Sequence, residues 1–393
     1  MPESNEKDHS ETIVIAENVL CKAFGDDVRL KVKTEFDADQ ATVLRCYAIK
    51  APAGVPQSVV VKRALTTDGT AFQPNSADEM IPRFFNDWAG LKFLSEISDG
   101  DSPAAQFYGG DREKGLMVIE DLGDGRNFYG SLRGESSVAA TAELIRLARA
   151  LGKMHALTID KNAAYDSIRD RLGPRDRPPS MTGEWRRLVA KLDEVCGRIG
   201  VKPHRGAKTE MKTVAAFIAA PGPFLAYTHG DPIPVNALPV GDERKLFDFE
   251  FGGFRHALRD GIYGRVSFPT WYHINRVPDD VVEKMEKAYR TELAKGCPEA
   301  ADDTLFFRSV VEACAYWAIH SRLNFIKKVW KEDHKWGIST QRQILLLCFD
   351  IFGQVSEEFG HLEALGATVR DIAAELREHW TDLEEMPYYP AFR

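Results

Sequence analysis

The chain has 393 residues, 44% of them hydrophobic, enough for two domains or one large two-lobed unit. Its formal net charge is −8 at pH 7; a nucleic-acid binder is more often basic, so no nucleic-acid partner is expected. The six cysteines (Cys21, Cys46, Cys196, Cys297, Cys314 and Cys348) are dispersed with no C-x-x-C pair, which excludes a dense disulfide framework or a simple zinc site and reads as a reduced protein.

The first ten residues are charged and poor in aromatics, and read as disordered. The opening "MPESNEKDHSET" lacks the basic and apolar regions of a secretion signal. No apolar run approaches the roughly 20 residues of a membrane helix. The expectation is a cytoplasmic protein with no membrane partner.

A strand-rich region follows. "VRLKVKTEF" and "ATVLRCYAI" alternate apolar and polar residues, the period of a half-buried strand. "SVVVKRAL" is a β-branched run, typical of a buried strand, and "KAPAGVPQ" before it is a turn. The period then changes: "IPRFFNDWAGLKFLSEI" sets Phe84, Trp88, Leu91 and Leu94 on one helical face. "AAQFYGG" and "GLMVIEDL" read as strands again. From about residue 130 the chain reads as mostly helical, beginning with Leu144, Leu147, Leu151 and Met154 at helical spacing. A loop-rich insertion, "RDRLGPRDRPPSMTG", interrupts the helices, and so do short strands and turns from Tyr227 to about Gly264. Later segments, such as "LFFRSVVEACAYWAIHSRLNFIKKVW", read as single amphipathic helices.

Three segments carry the chemistry. In "YTHGDPIPVN" a strand runs into a loop that Pro232 and Pro234 keep from becoming regular structure. Asp231 can accept a proton there, and Asn236 offers an amide oxygen to a hard cation. "RKLFDFEFGG" reads as a strand that carries Asp248, whose carboxylate suits Mg²⁺; that ion takes few protein oxygens and keeps substrate phosphates. Lys62, at the end of a β-branched run, is placed to reach phosphate oxygens. Each has a plainer reading, since Asp and Asn are common in turns and a strand-end lysine is often just solvated. The ordered set Lys, D-x-x-x-x-N, Asp matches the parts of phosphoryl transfer known from protein kinases. No P-loop, dinucleotide fingerprint, nucleophile elbow or H-E-x-x-H is present.

"HGDPIPVN" with "FDFE" resembles the aminoglycoside phosphotransferase and choline kinase family, small-molecule kinases with a protein-kinase-like fold. "MVIEDLG" is similar to that family's hinge, "LARALGKMHAL" to the helix after it, and "GGFRHALRDGIYG" to the segment after its metal aspartate. The resemblance covers about residues 55 to 265. It implies an α+β, two-lobed fold: a β-rich nucleotide-binding lobe over 1–117, a hinge over 118–126, and a helical lobe over 127–393 with the catalytic loop and acceptor site.

The resemblance implies ATP (or GTP) and Mg²⁺ as cofactors and a hydroxylated small molecule as acceptor. It makes Asp231 the catalytic base, and Asn236 and Asp248 the metal ligands. Lys62 would contact the nucleotide phosphates. Main-chain groups near Glu120 and Leu122 would bind adenine, with Met117 at the back of that pocket. His229 and Asp260 would brace the catalytic loop. Two departures stand out. Asp87 takes the place of the glutamate that usually pairs with the lysine, and the phosphate-covering stretch "FDADQATVL" has no glycine. They motivate a second reading, a nucleotide-binding pseudokinase acting as an interaction module. A third is a metal hydrolase using His229, Asp231 and His256. His155 reads as a core histidine. Trp271 and Tyr272 are acceptor-pocket candidates, as is Glu250 for a cationic acceptor.

Overall fold

The computed structural model describes residues 9–25, 27–38, 41–67, 72–76, 78–124, 128–173, 175 and 180–393. Residues 1–8, which the sequence reads as disordered, lie outside that set; so do Asp39 and Gln40 of the glycine-free stretch, and Gly125 and Arg126 of the expected hinge.

In chain order the elements are α1 (Ser10–Phe24), β1 (Arg29–Phe36), β2 (Ala41–Lys50), β3 (Ser58–Ala64), α2 (Met80–Ile97), β4 (Phe107–Asp111) and β5 (Leu116–Glu120). Next come α3 (Phe128–Arg133), α4 (Ser137–Thr158), α5 (Asn162–Arg169), α6 (Met181–Ile199), α7 (Ala207–Ala219), β6 (Leu225–Thr228), β7 (Ala237–Val240), β8 (Glu243–Leu246), β9 (Gly253–His256) and α8 (Leu258–Gly261). The chain ends with α9 (Asp279–Leu293), α10 (Asp303–Ala315), α11 (Phe325–Val329), a two-residue hairpin, α12 (Gln341–Glu358) and α13 (Glu363–His379). These elements form two compact units: Met1–Gly125 with Ala163–Asp176 and Leu238–Gly252, and the remainder.

The first unit is built on a five-stranded antiparallel sheet of order β1-β2-β3-β5-β4. Side chains alternate across it. Val59 and Val61 of β3 join Leu44, Cys46, Leu116 and Val118 in a core closed by Ile15, Ala16, Val19 and Leu20 of α1. That helix was not expected in a region that reads as strand-rich. Its apolar residues recur at helical spacing, and they cover a sheet face that would otherwise expose this core. Ser10, within the stretch read as disordered, opens it. Val60 and Lys62 point to the opposite face, where α2 lies; Phe84, Trp88, Leu91 and Leu94 of α2 are all buried, as their spacing predicts.

The second unit is mostly helical. Its centre is α4, packed against α9, with Leu144, Leu147, Leu151 and Met154 buried. His155 of α4 is fully buried, with Nδ1 2.8 Å from the Tyr289 hydroxyl. The expected single helix after residue 304 is instead α10, a π-helical segment over Tyr316–Arg322, and α11. The wider turn adds a residue and leaves both Trp317 and Arg322 buried, bonded to the Arg259 and Pro269 carbonyls. All six cysteines are unbridged. Among the described residues no helix is long and apolar enough to cross a membrane.

Two tests follow from this packing. A Cβ on Gly110 of β4 would sit 2.1 Å from the Trp88 ring and 2.7 Å from the Leu116 carbonyl. Gly110→Ala should therefore cost about 1–3 kcal/mol in chemical denaturation. Burial lowers the His155 pKa from 6.5 to about 4. The unfolded chain then takes up this proton first, so the stability contribution is complete above about 6.5 and is lost as pH falls toward about 4. His155→Gln should make stability fall less steeply across that window in denaturation series against pH.

Candidate active site

In the first unit the site begins with Lys62. Its Nζ donates to Asp87 Oδ2 at 2.7 Å and to Asp248 Oδ1 at 2.6 Å. Burial works against the ammonium charge, but the two carboxylates outweigh it and hold the lysine pKa above its usual range. Asp87 is 1% exposed, and its second oxygen accepts the Phe249 N–H at 2.8 Å. One short side chain thus joins β3, α2 and the turn after β8. Aspartate in place of glutamate closes the lysine pair, because the buried turn of α2 that carries it lies that near the strand.

Asp248 is not in a strand. β8 ends at Leu246, and Asp248 adopts a left-handed φ of 67°. Aspartate tolerates that region better than most residues, and such strain gathers at functional sites. Glu250 follows; burial and the Asp248 charge push its pKa up to about 7.

These residues border a cavity of about 740 Å³. Lys62, Asp87, Asp248 and Glu250 mark one part of its wall, Glu120, Asp121 and Leu122 another, and Val43, Val60, Ile119 and Phe247 supply apolar lining. Met117 pairs with Lys62 across β3 and β5 and is fully buried, but it is not among the lining side chains; Ile119 lines the cavity from that strand. Glu120 donates its N–H to the Gln106 carbonyl, and its carboxylate pairs with Lys245 at 2.7 Å.

Arg45 also lines this cavity and was not anticipated. It is 6% exposed, pairs with Asp121 at 2.9 Å and contacts Asp124. Strand pairing places it: β2 register puts Arg45 opposite Val60, on the Lys62 face. A charge at an inward strand position needs a partner or a ligand.

The second unit holds the other motif. β6 and β9 pair, and the loop after β6 carries His229, Asp231 and Asn236. Asp260 of α8 is fully buried, and its Oδ2 accepts the N–H groups of His229 at 2.6 Å and Gly230 at 3.1 Å. The backbone of His229, not a reactive imidazole, is thus what the buried carboxylate holds. The Asn236 amide nitrogen donates to the Asp231 carbonyl at 3.0 Å, so its oxygen is what it can offer a cation. Asp231 Oδ1 accepts from Thr270 Oγ1 and lies 3.3 Å from the Tyr263 hydroxyl.

Trp271 is buried against Tyr129 and Phe268, whereas Tyr272 is 56% exposed. His256 is stacked between Phe217 and Phe224, and its Nδ1 accepts the Leu258 N–H at 3.2 Å. It is a core residue, which removes one leg of the hydrolase reading.

Asp248 in the first unit and Asn236 in the second each offer a hard oxygen, and the raised Glu250 pKa comes first from burial, with the Asp248 charge adding to it. Asp87→Glu, which restores the more usual residue, should cost about 1–3 kcal/mol in thermal denaturation, because the pair is already closed and the added methylene has no room.

No protein-family model matches the chain, and no curated protein matches it. Among solved structures, it is similar to the macrolide 2′-phosphotransferase MphH from Brachybacterium faecium, at 14% identity over 79% of this chain and 93% of that one, with a TM-score of 0.42. It is similar to a choline kinase from Cryptosporidium parvum Iowa II, at 11% identity over 90% of each chain, with a TM-score of 0.42. The amicoumacin kinase hAmiN is a third, at 12% identity over 88% of this chain and 87% of that one, with a TM-score of 0.42.

Proposed function

We propose that this chain is a small-molecule kinase that transfers the γ-phosphoryl group of ATP (or GTP) to a hydroxyl of its acceptor. The observation that carries the reading is the half-buried Lys62 ammonium shared by Asp87 and Asp248 at the wall of a cavity of about 740 Å³. A lysine fixed in this way is poised for phosphate oxygens and does not drift toward solvent.

In this reading the nucleotide base takes the apolar part of the cavity near Val43, Val60 and Ile119, with main-chain groups by Glu120 and Leu122 as its partners. Lys62 binds the phosphates. Asn236 and Asp248 would hold Mg²⁺, which neutralises charge on the transferring group when bound. Asp231 orients the acceptor hydroxyl and takes its proton. Asp260 holds the loop through the His229 and Gly230 N–H groups, so Asp231 stays in one place while the acceptor binds. The β-rich unit would serve the nucleotide and the helical unit the acceptor.

The pseudokinase reading rests on the glycine-free stretch and on Asp87. The 2.7 Å contact with Lys62 weighs against it, since the pair that this site needs is made. Calorimetric titration with Mg-ATP should show binding to the wild type. Asp231→Asn should bind Mg-ATP as the wild type does but lose about 100-fold or more in turnover. Asp248→Asn keeps a residue that tolerates the left-handed backbone, and should weaken Mg-dependent nucleotide binding by about tenfold or more. Full turnover by Asp231→Asn, measured as ADP release, rules the mechanism out.

A further inference from the structure

Tyr263 and Thr270 belong to none of the motifs that mark the site, yet both lie on the Asp231 carboxylate. We infer that Thr270, backed by Tyr263, is a positioning residue that sets the orientation of the Asp231 carboxylate for phosphoryl transfer. The inference rests on the kinase reading above.

The hydrogen bonds have a direction. A carboxylate only accepts, so Thr270 gives its proton to Asp231 Oδ1. Its oxygen is then the acceptor for the Tyr263 hydroxyl, 2.6 Å away. The result is a chain from Tyr263 to Thr270 to Asp231, in which each bond polarises the next. Tyr263 is 1% exposed, and burial raises its pKa well above the usual range, so the phenol remains a donor.

The backbone that delivers Thr270 is unusual. Ser267 and Phe268 have φ values of 56° and 58°, and both are buried. Two successive non-glycine residues in the left-handed region persist only where their surroundings over-determine them. Here the surroundings are specific. The Pro269 carbonyl accepts from Arg322, and Trp317 packs edge-on against the Tyr263 ring at 5.3 Å. Trp317 Nε1 in turn donates to the Arg259 carbonyl at 3.2 Å. Arg322 and Trp317 both come from the π-helical segment, and such segments are frequent at functional sites. A strained turn and a widened helix thus converge on one hydroxyl. With Oδ1 held by this chain, an approaching hydroxyl meets Asp231 in a single orientation. The plainer role, satisfying a buried phenol, predicts no effect on turnover once the fold is kept.

The test uses the full chain and Mg-ATP hydrolysis with water as the acceptor, and calorimetry for nucleotide affinity. Thr270→Val should lower kcat about tenfold or more, with KM and Kd for Mg-ATP unchanged. Thr270→Ser, which keeps the hydroxyl, should recover most of the loss. Tyr263→Phe breaks the chain at its other end and should give a smaller loss of the same kind. In an Asp231→Asn background, Thr270→Val should have no further effect on the residual rate, because it acts through Asp231. The inference fails if Thr270→Val turns over like the wild type, if Thr270→Ser is as impaired as Thr270→Val, or if the loss persists undiminished in the Asp231→Asn background. A wild type that neither binds nor hydrolyses Mg-ATP overturns the kinase reading and the inference with it, and that result shows before any variant is made.

Discussion

An ammonium drawn partly out of water needs counter-charges, and in this protein Lys62 is held between Asp87 and Asp248. The constraint reaches well beyond one ion pair. It ties a strand residue, a helix residue and a turn residue from far along the chain to one point. Asp87 secures the arrangement a second time by accepting the Phe249 N–H beside Asp248. Removing Lys62 would leave Asp87, which is 1% exposed, without its cation, whereas losing Asp248 leaves the Lys62–Asp87 pair in place.

The second unit solves a similar problem with a carboxylate. Asp260 is fully buried and takes up two main-chain N–H groups of the loop that carries Asp231. Buried main-chain donors need acceptors, so the loop has little freedom. Thr270 and Tyr263 extend that logic from the backbone to the carboxylate itself. Order therefore passes outward in steps, from a buried anion to a loop and from a hydroxyl chain to the side chain that would meet the acceptor.

Much of this was legible in the residues. Alternation in β2 and β3 and helical spacing in α2 and α4 are direct consequences of which side chains must be buried. The spacing of Asp231, Asn236 and Asp248 and the strand position of Lys62 marked the candidate site. Other features were hidden. The α1 helix follows a charged opening and precedes a stronger alternating strand pattern, so its apolar spacing stands out little in the sequence. Arg45 looked like an ordinary polar residue in an alternating strand, and only the register with β3 shows which face it takes. Asp248 read as part of a strand, but its left-handed φ depends on the turn that Asp87 holds.

By itself the sequence marked the candidate residues and the type of most elements, because residue type and local period act over a few neighbours and leave a mark there. Tertiary structure alone decided that residues 238–252 return to the first unit, that aspartate is long enough at position 87, and that a threonine in an aromatic-rich turn reaches Asp231. Those outcomes depend on distances between segments far apart in the chain. Such distances are set by how whole faces pack and by which buried charges find partners, and no local pattern records them.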